Sequence, residues 1–181
     1  TRLVPGKPAT EEVQKATIAT ILEEIEKAKN DHSVVLFMDP MHQIHNNENG
    51  HVWQRKGKSG TKQVQANTGR RRLNIIGALN PLTLQPTTFL TEANCDIETM
   101  KIFFSEMRKE YADKHLVVFL DNARYQRAYE TQEYAKQLNI TLNFLPPYSP
   151  NLNLIERLWK FLKKKLFKNR YYEAFHEFEA V

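Results

Sequence analysis

Two short apolar runs, each closed by an aspartate, constrain most strongly what this chain can fold into. The first is residues 34–39, ending in Asp39, and the second is residues 116–121, ending in Asp121; both are rich in Val, Leu and Phe. Runs of this length and composition are typical of strands buried on both faces of a sheet. A carboxylate at the end of such a strand is costly to bury unless a partner compensates its charge.

A third acidic residue, Glu156, follows a proline-rich turn. Residues 145–150 read Leu-Pro-Pro-Tyr-Ser-Pro, and the helix-forming segment after them carries Glu156 in its first turns. Two strand-end aspartates and a helix glutamate make an all-oxygen ligand set, which suits Mg²⁺ or Mn²⁺ better than Zn²⁺. Such a set indicates metal-assisted phosphate chemistry. Each carboxylate alone is better explained as an ordinary cap or helix-start residue, and only the three together indicate a site.

These segments resemble the three sequence blocks of a DDE transposase of the mariner-like superfamily, in its bacterial insertion-sequence branch. The blocks are Met38-Asp39, Asp121-Asn122-Ala123, and Pro-Pro-Tyr-Ser-Pro with the Leu-Asn and Ile-Glu pairs that end at Glu156. The spacing of thirty-four residues between Asp121 and Glu156 also fits that superfamily. The resemblance covers about residues 34–168. It implies an α/β ribonuclease H-like fold, a mixed five-stranded sheet with helices on both faces.

Carried over residue by residue, the resemblance makes Asp39, Asp121 and Glu156 the catalytic carboxylates and the ligands of two Mg²⁺ or Mn²⁺ ions. The implied reaction is cleavage of double-stranded DNA at transposon ends and transfer of the freed 3′-hydroxyl into target DNA. A homodimer holding two ends is implied as well. Three further residues are expected beside the site or against substrate, namely Asn122, His42 and Tyr148.

Two positions depart from the pattern of many relatives. Residues 123–126 lack the His that many relatives carry there, and Leu154 stands where many have Pro. These departures keep two alternatives open. The domain is either an active transposase or an inactive, repurposed relic that binds DNA without cutting it. A ribonuclease H-like nuclease acting on RNA:DNA hybrids is the other alternative.

The net charge of +5 is concentrated in two stretches without acidic residues, 51–72 and 157–170. Clustered cations are typical of surfaces that bind phosphate backbones, although a solvated loop or helix face explains them too. The predicted DNA-binding residues are Arg55, Lys56, Lys58, Lys62, Arg70, Arg71, Arg72, Lys160, Lys163 and Lys164.

Other features limit the class of protein. The single Cys95 lies in a predicted loop and indicates a reducing compartment, so we expect a cytoplasmic, nucleoid-associated protein. No apolar run has the length of a membrane span. Gly57-Lys58-Ser59 lacks the earlier glycine of a phosphate loop, so no nucleotide cofactor is expected. The histidines at 42, 45 and 51 lie among asparagines without a cysteine nearby, which favours a polar loop over a zinc site.

The pattern predicts one domain, residues 34–181, preceded by a helix and linker, residues 1–33, that pack on it. We expect no helix-turn-helix DNA-binding region within this length. Trp53 and Trp159 are predicted to lie in the core. The predicted helices are 10–30, 96–112, 125–138, 151–169 and 171–179, and the predicted strands are 34–39, 52–55, 73–79, 116–121 and 140–145, with 85–91 as a short strand or extended edge.

Overall fold

The structure is a computed structural model that describes residues 9–30, 33–46, 53, 65–67 and 69–181. Within these residues the chain forms one five-stranded sheet in the order β3-β2-β1-β4-β5. The strands are β1 (Ser33–Ile44), β2 (Arg72–Leu79), β3 (Pro86–Thr91), β4 (His115–Leu120) and β5 (Ile140–Phe144). The helices are α1 (Glu11–Asn30), α2 (Ile97–Glu110), α3 (Tyr129–Gln137), α4 (Ile155–Leu162) and α5 (Phe175–Glu179).

The register of the sheet brings the two strand-end aspartates to one edge. β1 runs parallel to β4, with Met38 opposite Leu120, and β4 runs parallel to β5. The next residues along β1 and β4 are Asp39 and Asp121. β2 and β3 are antiparallel to their neighbours, so the sheet is mixed, as predicted.

Two apolar cores lie on opposite faces of the sheet, because alternate residues of a strand point to opposite sides. Val35 and Phe37 pack with α1, α4 and α5 on one face. Leu36 and Met38 pack with α2 and α3 on the other face. The prediction of helices on both faces is therefore confirmed.

Local signals in the sequence explain how two helices begin. Thr10 accepts a 3.4 Å hydrogen bond from the backbone N–H of Val13 at the start of α1. Asp96 caps α2 by accepting from the Thr99 N–H at 2.9 Å, and the Thr99 side chain completes a capping box. Ile21 is buried and packs α1 against the sheet.

The predicted domain boundary at residue 33 stays a prediction.

The structure corrects several predicted boundaries. β1 continues to Ile44 through the segment predicted to be a polar connection, because it pairs with β2 as far as Arg72. The predicted strand 52–55 lies outside the described residues except for Trp53, which is fully exposed, so its placement in the core was wrong. α3 begins at residue 129, not 125, since the N–H groups of Gln126 and Arg127 close a turn on Ala123. Residues 86–91 form a complete edge strand.

The predicted long helix 151–169 is three segments. A 3₁₀ turn (Pro150–Leu152) comes first, α4 begins only at Ile155, and a π turn (Lys163–Phe167) ends it. The π turn has a wider repeat than an α-helix. Phe167 is buried in the core, although an uninterrupted α-helix would place it on the same face as Lys160 and Lys163. Trp159 is buried, as predicted.

Candidate active site

The structure brings together the three carboxylates that the sequence singled out. Asp39 lies in β1, Asp121 directly follows β4, and Glu156 lies in the first turn of α4. Each offers one carboxylate oxygen, and these oxygens all lie within 4.8 Å of one another. All three residues are partly buried. Among the described residues, this is the one group of acidic, histidine or cysteine side chains close enough to hold a metal ion.

Burial and like charge make the carboxylates costly to ionise together. The pKa of Asp39 is raised to about 8. Burial is the main cause, and the neighbouring charges of Asp121 and Glu156 contribute to the same shift. The Lys163 ammonium opposes this shift in the pKa of Asp39. Burial also raises the pKa of Asp121, and a hydrogen bond from Asn153 opposes that shift.

Asn153 connects the carboxylates at the entry to α4. Its side chain is buried, and its Nδ2 donates to the Met38 carbonyl at 3.1 Å and to Asp121 Oδ1 at 3.5 Å. One side chain thus holds the last residue before Asp39, the Asp121 carboxylate and the segment that leads to Glu156. Asn153 belongs to the Leu-Asn pair of the third sequence block, and no role was predicted for it. The signal for its role is a polar residue between the buried Leu152 and the partly buried Leu154.

Gly77 of β2 lies opposite Asp39 in the sheet and makes room for Trp159. A Cβ atom on Gly77 would lie 2.5 Å from Cη2 of the Trp159 ring and 3.1 Å from Cδ1 of Ile155. The indole N–H of Trp159 is close enough to Asp39 to lower the pKa of that carboxyl. The N–H is buried, and among the described residues it forms no hydrogen bond of regular geometry. This role of Gly77 was not predicted. A glycine inside a buried strand is the signal that indicates such a close approach.

Asn122 fixes the proline-rich turn to the end of the sheet. Its Nδ2 donates to the Leu145 carbonyl, and the Leu145 N–H donates to the Leu120 carbonyl at 2.8 Å. Tyr148, three residues further on, is 62% exposed and has a positive φ of 56°. The predicted contact of Tyr148 with substrate stays a prediction.

His42 does not join the three carboxylates. It lies three residues after Asp39 in β1, so its side chain points to the other face of the sheet. There its Nδ1 lies 2.6 Å from Asn74 Oδ1, and Asn74 donates to the Ala93 carbonyl. This arrangement indicates that His42 fastens β1 and β2 to the β3–α2 loop. Its predicted contact with substrate has no support from this geometry.

The predicted basic residues divide into four groups. Lys160 and Lys163 line a groove of about 440 Å³ together with Glu156 and Trp159. Lys164 and Arg70 are exposed. Two others have protein partners: Arg71 pairs with Glu92 at 2.7 Å and lies over the Phe175 ring at 3.5 Å, and Arg72 donates to Asn94. The remaining four, Arg55, Lys56, Lys58 and Lys62, lie outside the described residues.

The sheet is mixed and has this strand order, with Asp39 where β1 stops pairing with β4, Asp121 directly after β4 and Glu156 on the helix after β5. This arrangement places the chain in the class of ribonuclease H-like nucleases. The chain belongs to the DDE superfamily endonucleases, whose family model matches residues 34–179. The resemblance drawn from the three sequence blocks is thereby confirmed. Assignment to the insertion-sequence branch stays a prediction.

Solved structures agree with this family. A Mos1 transposase paired-end complex with the left transposon end superposes with a TM-score of 0.72 at 14% identity, covering 99% of this chain and 56% of that one. The Mos1 mariner paired-end complex with Mn gives the same TM-score and coverage. The Mos1 catalytic domain with raltegravir and Mg gives 0.64 at 10% identity, covering 96% of this chain and 82% of that one. At these identities the likeness shows the fold.

A curated relative is an uncharacterised protein, y4pE/y4sA, of Sinorhizobium fredii strain NBRC 101917 / NGR234. It is 34% identical over 84 residues, which cover 46% of this chain and 60% of the relative. The chain therefore spans about 60% of the length of this relative, and little more than half of the Mos1 chains in their paired-end complexes. Among the described helices, none is both long enough and apolar enough to cross a membrane.

Proposed function

We propose that this domain is the catalytic part of a transposase, which cuts DNA at transposon ends and joins the freed 3′-hydroxyl to target DNA. The observation that carries the proposal is the convergence of Asp39, Asp121 and Glu156, whose oxygens lie within 4.8 Å of one another. The family supplies the endonuclease class. The Mos1 complexes with transposon ends and the Mos1 strand transfer complex support the choice of reaction.

The donor set fits Mg²⁺ or Mn²⁺. All three ligand groups are carboxylates, and hard divalent cations prefer oxygen ligands. Two of them are partly buried groups with raised pKa values, so a cation between them would relieve both the repulsion and the cost of burial. We propose two ions held by Asp39, Asp121 and Glu156. When bound, such ions activate the attacking oxygen and stabilise the leaving oxygen of a phosphodiester.

The protein's own residues hold and orient the reacting groups. Asn153 orients the Asp121 carboxylate, and Trp159 supports Asp39 from the β2 side. Lys160 and Lys163 lie in the groove beside Glu156, where they would bind phosphates of the DNA backbone. Groups positioned in advance reduce the entropic cost of bringing the 3′-hydroxyl and the target phosphate together.

The partners proposed are double-stranded DNA, as transposon ends and target, and a second copy of the chain. The likeness to the Mos1 paired-end complex with the left transposon end supports double-stranded DNA as a partner. A homodimer follows from the need to join two ends, and the site of action would be the nucleoid in the cytoplasm.

The test is Mn²⁺-dependent nicking of supercoiled plasmid by the wild type and by Asp121→Ala. We expect nicked and linear DNA with the wild type only. Asp113→Ala, which removes an exposed aspartate just before the start of β4, at the end opposite Asp121, serves as the matched control and retains activity. Equal cleavage by Asp121→Ala would overturn the site. No cleavage by a folded, full-length wild type would favour the relic, and faster cleavage of RNA:DNA hybrid than of duplex DNA would favour the ribonuclease H-like nuclease.

A further inference from the structure

Tyr148 is an exposed aromatic residue whose backbone is held in a conformation that tyrosine rarely adopts. Its φ of 56° lies in the left-handed region, and its side chain is 62% exposed. Residues other than Gly, Asn and Asp rarely adopt this conformation, because their Cβ atom comes too close to the following carbonyl oxygen. Folding would ordinarily favour Gly or Asn here. Tyr148 is exposed and contributes little to the core. A contact between its ring and a ligand would explain why an aromatic residue occupies this position.

The turn that carries Tyr148 is anchored on both sides. On the amino-terminal side, Asn122 donates to the Leu145 carbonyl and Leu145 donates to Leu120. On the carboxyl-terminal side, Ser149 is buried, and its carbonyl accepts from the Leu152 N–H at 3.0 Å. The anchors are the neighbour of Asp121 and the turn that enters α4. The backbone that carries Tyr148 is therefore fixed between Asn122, next to Asp121, and the turn that leads to Glu156.

The charged residues around the site indicate which ligand would contact the Tyr148 ring. The groove that begins at Pro150 and Asn151, two and three residues after Tyr148, is also lined by Glu156, Lys160 and Lys163. The cations would follow a phosphate backbone, and the carboxylates would hold the metal at the reacting phosphate. A nucleotide whose phosphate lies there presents its base at the rim. Aromatic side chains bind unpaired bases by stacking, largely regardless of sequence.

We propose that Tyr148 is a stacking platform for an unpaired DNA base next to the phosphate held at the carboxylate site. The inference rests on the proposed function, since it takes DNA as the substrate. The strain at Tyr148 then has a physical reason. A side chain on a fixed backbone loses less conformational entropy when a base stacks on it. Tyr148 is a positioning residue in this proposal, because it binds the nucleotide and takes no part in bond making.

The experiment compares four proteins in Ca²⁺ buffer, before any cleavage. These are the wild type, Tyr148→Phe, Tyr148→Asn and Tyr129→Ala. Phe keeps the ring, and Asn tolerates the left-handed backbone but removes the ring. Tyr129 is a second exposed tyrosine, at the start of α3, and its variant controls for general loss of an exposed aromatic.

Two DNA probes are needed, a fully paired duplex and the same duplex with an unpaired 2-aminopurine at its end. Fluorescence anisotropy measures affinity, and 2-aminopurine emission measures stacking. We expect the wild type, Tyr148→Phe and Tyr129→Ala to quench the emission and to prefer the unpaired end. Tyr148→Asn should lose the quenching, and its preference for the unpaired end should fall roughly five- to hundred-fold. Its affinity for the paired duplex should stay unchanged.

Quenching by Tyr148→Asn equal to the wild type would overturn the inference, and so would loss of quenching in Tyr148→Phe. A change of oligomeric state in Tyr148→Asn with an unchanged preference for unpaired DNA would also overturn it, in favour of a contact with a second copy. Plasmid nicking tests the proposed function separately. Intact nicking without quenching removes only the stacking role, whereas loss of all DNA binding removes both.

Discussion

The ring of Trp159 lies directly over the backbone of Gly77, so close that a Cβ atom on Gly77 would be 2.5 Å from Cη2 of the ring. Gly77 is also the residue that pairs with Asp39 across β1 and β2. The contact therefore sets how near α4, with Glu156 in its first turn, approaches the strand that carries Asp39. Core packing and the geometry of the carboxylates depend on the same glycine.

We predict that Gly77→Ala destabilises the protein by about 1–3 kcal/mol, as overpacking of a close-packed core does. Separation of α4 from β1 should also weaken Mn²⁺ binding. The measurements are urea denaturation followed by tryptophan fluorescence and a Mn²⁺ titration. A double-mutant cycle with Trp159→Phe supplies the control, since the smaller ring leaves space for the methyl group. Equal costs of Gly77→Ala in both backgrounds would contradict the contact.

Asn153→Ala should reduce Mn²⁺ affinity about 10–100-fold, the range typical when a residue that orients a metal ligand is lost. The reason is that Asn153 donates both to Asp121 and to the Met38 carbonyl beside Asp39. Calorimetric titration with Mn²⁺ measures the effect. Asn151→Ala is the matched control, because Asn151 is an exposed asparagine two residues earlier in the same turn. Equal affinities of the two variants would show that Asn153 does not position the ligands.

The features that could be predicted are those whose signals lie within a few neighbouring residues of the sequence. The apolar run that ends in Asp39, the one that ends in Asp121 and the turn before Glu156 each reveal an element and its functional end. Their meeting within 4.8 Å follows from the parallel pairing of β1 and β4. Helix starts with side-chain caps, such as Asp96, were also predictable because a cap acts over three residues.

Long-range packing was not predictable from the same patterns. The role of Gly77 depends on Trp159, eighty-two positions away in the sequence, and nothing near Gly77 indicates which ring will cover it. The burial of Phe167 depends on a π turn, because an uninterrupted helix of 3.6 residues per turn would place it beside Lys160 and Lys163.

Without metal, the stability of the domain should fall as the pH rises from about 4 to 8. The folded-state pKa of Asp39 is raised from 3.8 to about 8, so the folded protein holds a proton that the unfolded chain has released. The stabilisation is complete below the unfolded pKa and is lost as the pH rises through the folded value. The raised pKa of Asp121 acts in the same direction. Urea midpoints measured between pH 4 and 9 in a chelator will test this.

Asp39→Asn should remove most of this pH dependence, because its amide does not titrate. Added Mg²⁺ should restore the stability of the wild type at pH 8 and above and have a smaller effect on the variant, since binding at the ionised carboxylates favours the folded state. A wild type whose midpoint rises steadily from pH 4 to 8 in the chelator would contradict the raised pKa of Asp39.

The groove lysines should account for part of the salt dependence of DNA binding. Lys160 and Lys163 line the groove beside Glu156, whereas Lys101 lies on α2 over the other face of the sheet and pairs with Glu98. Each neutralised phosphate contributes roughly 0.9 to the slope of log K against log salt. Lys160→Ala and Lys163→Ala should each lower that slope by about one, and Lys101→Ala should leave it unchanged. Anisotropy titrations of duplex DNA at four salt concentrations measure the slopes. Lys163→Ala should also slow cleavage more than Lys160→Ala does, because the Lys163 ammonium is the cation that lowers the pKa of Asp39. Identical slopes for all three variants and the wild type would place the DNA backbone elsewhere on the domain.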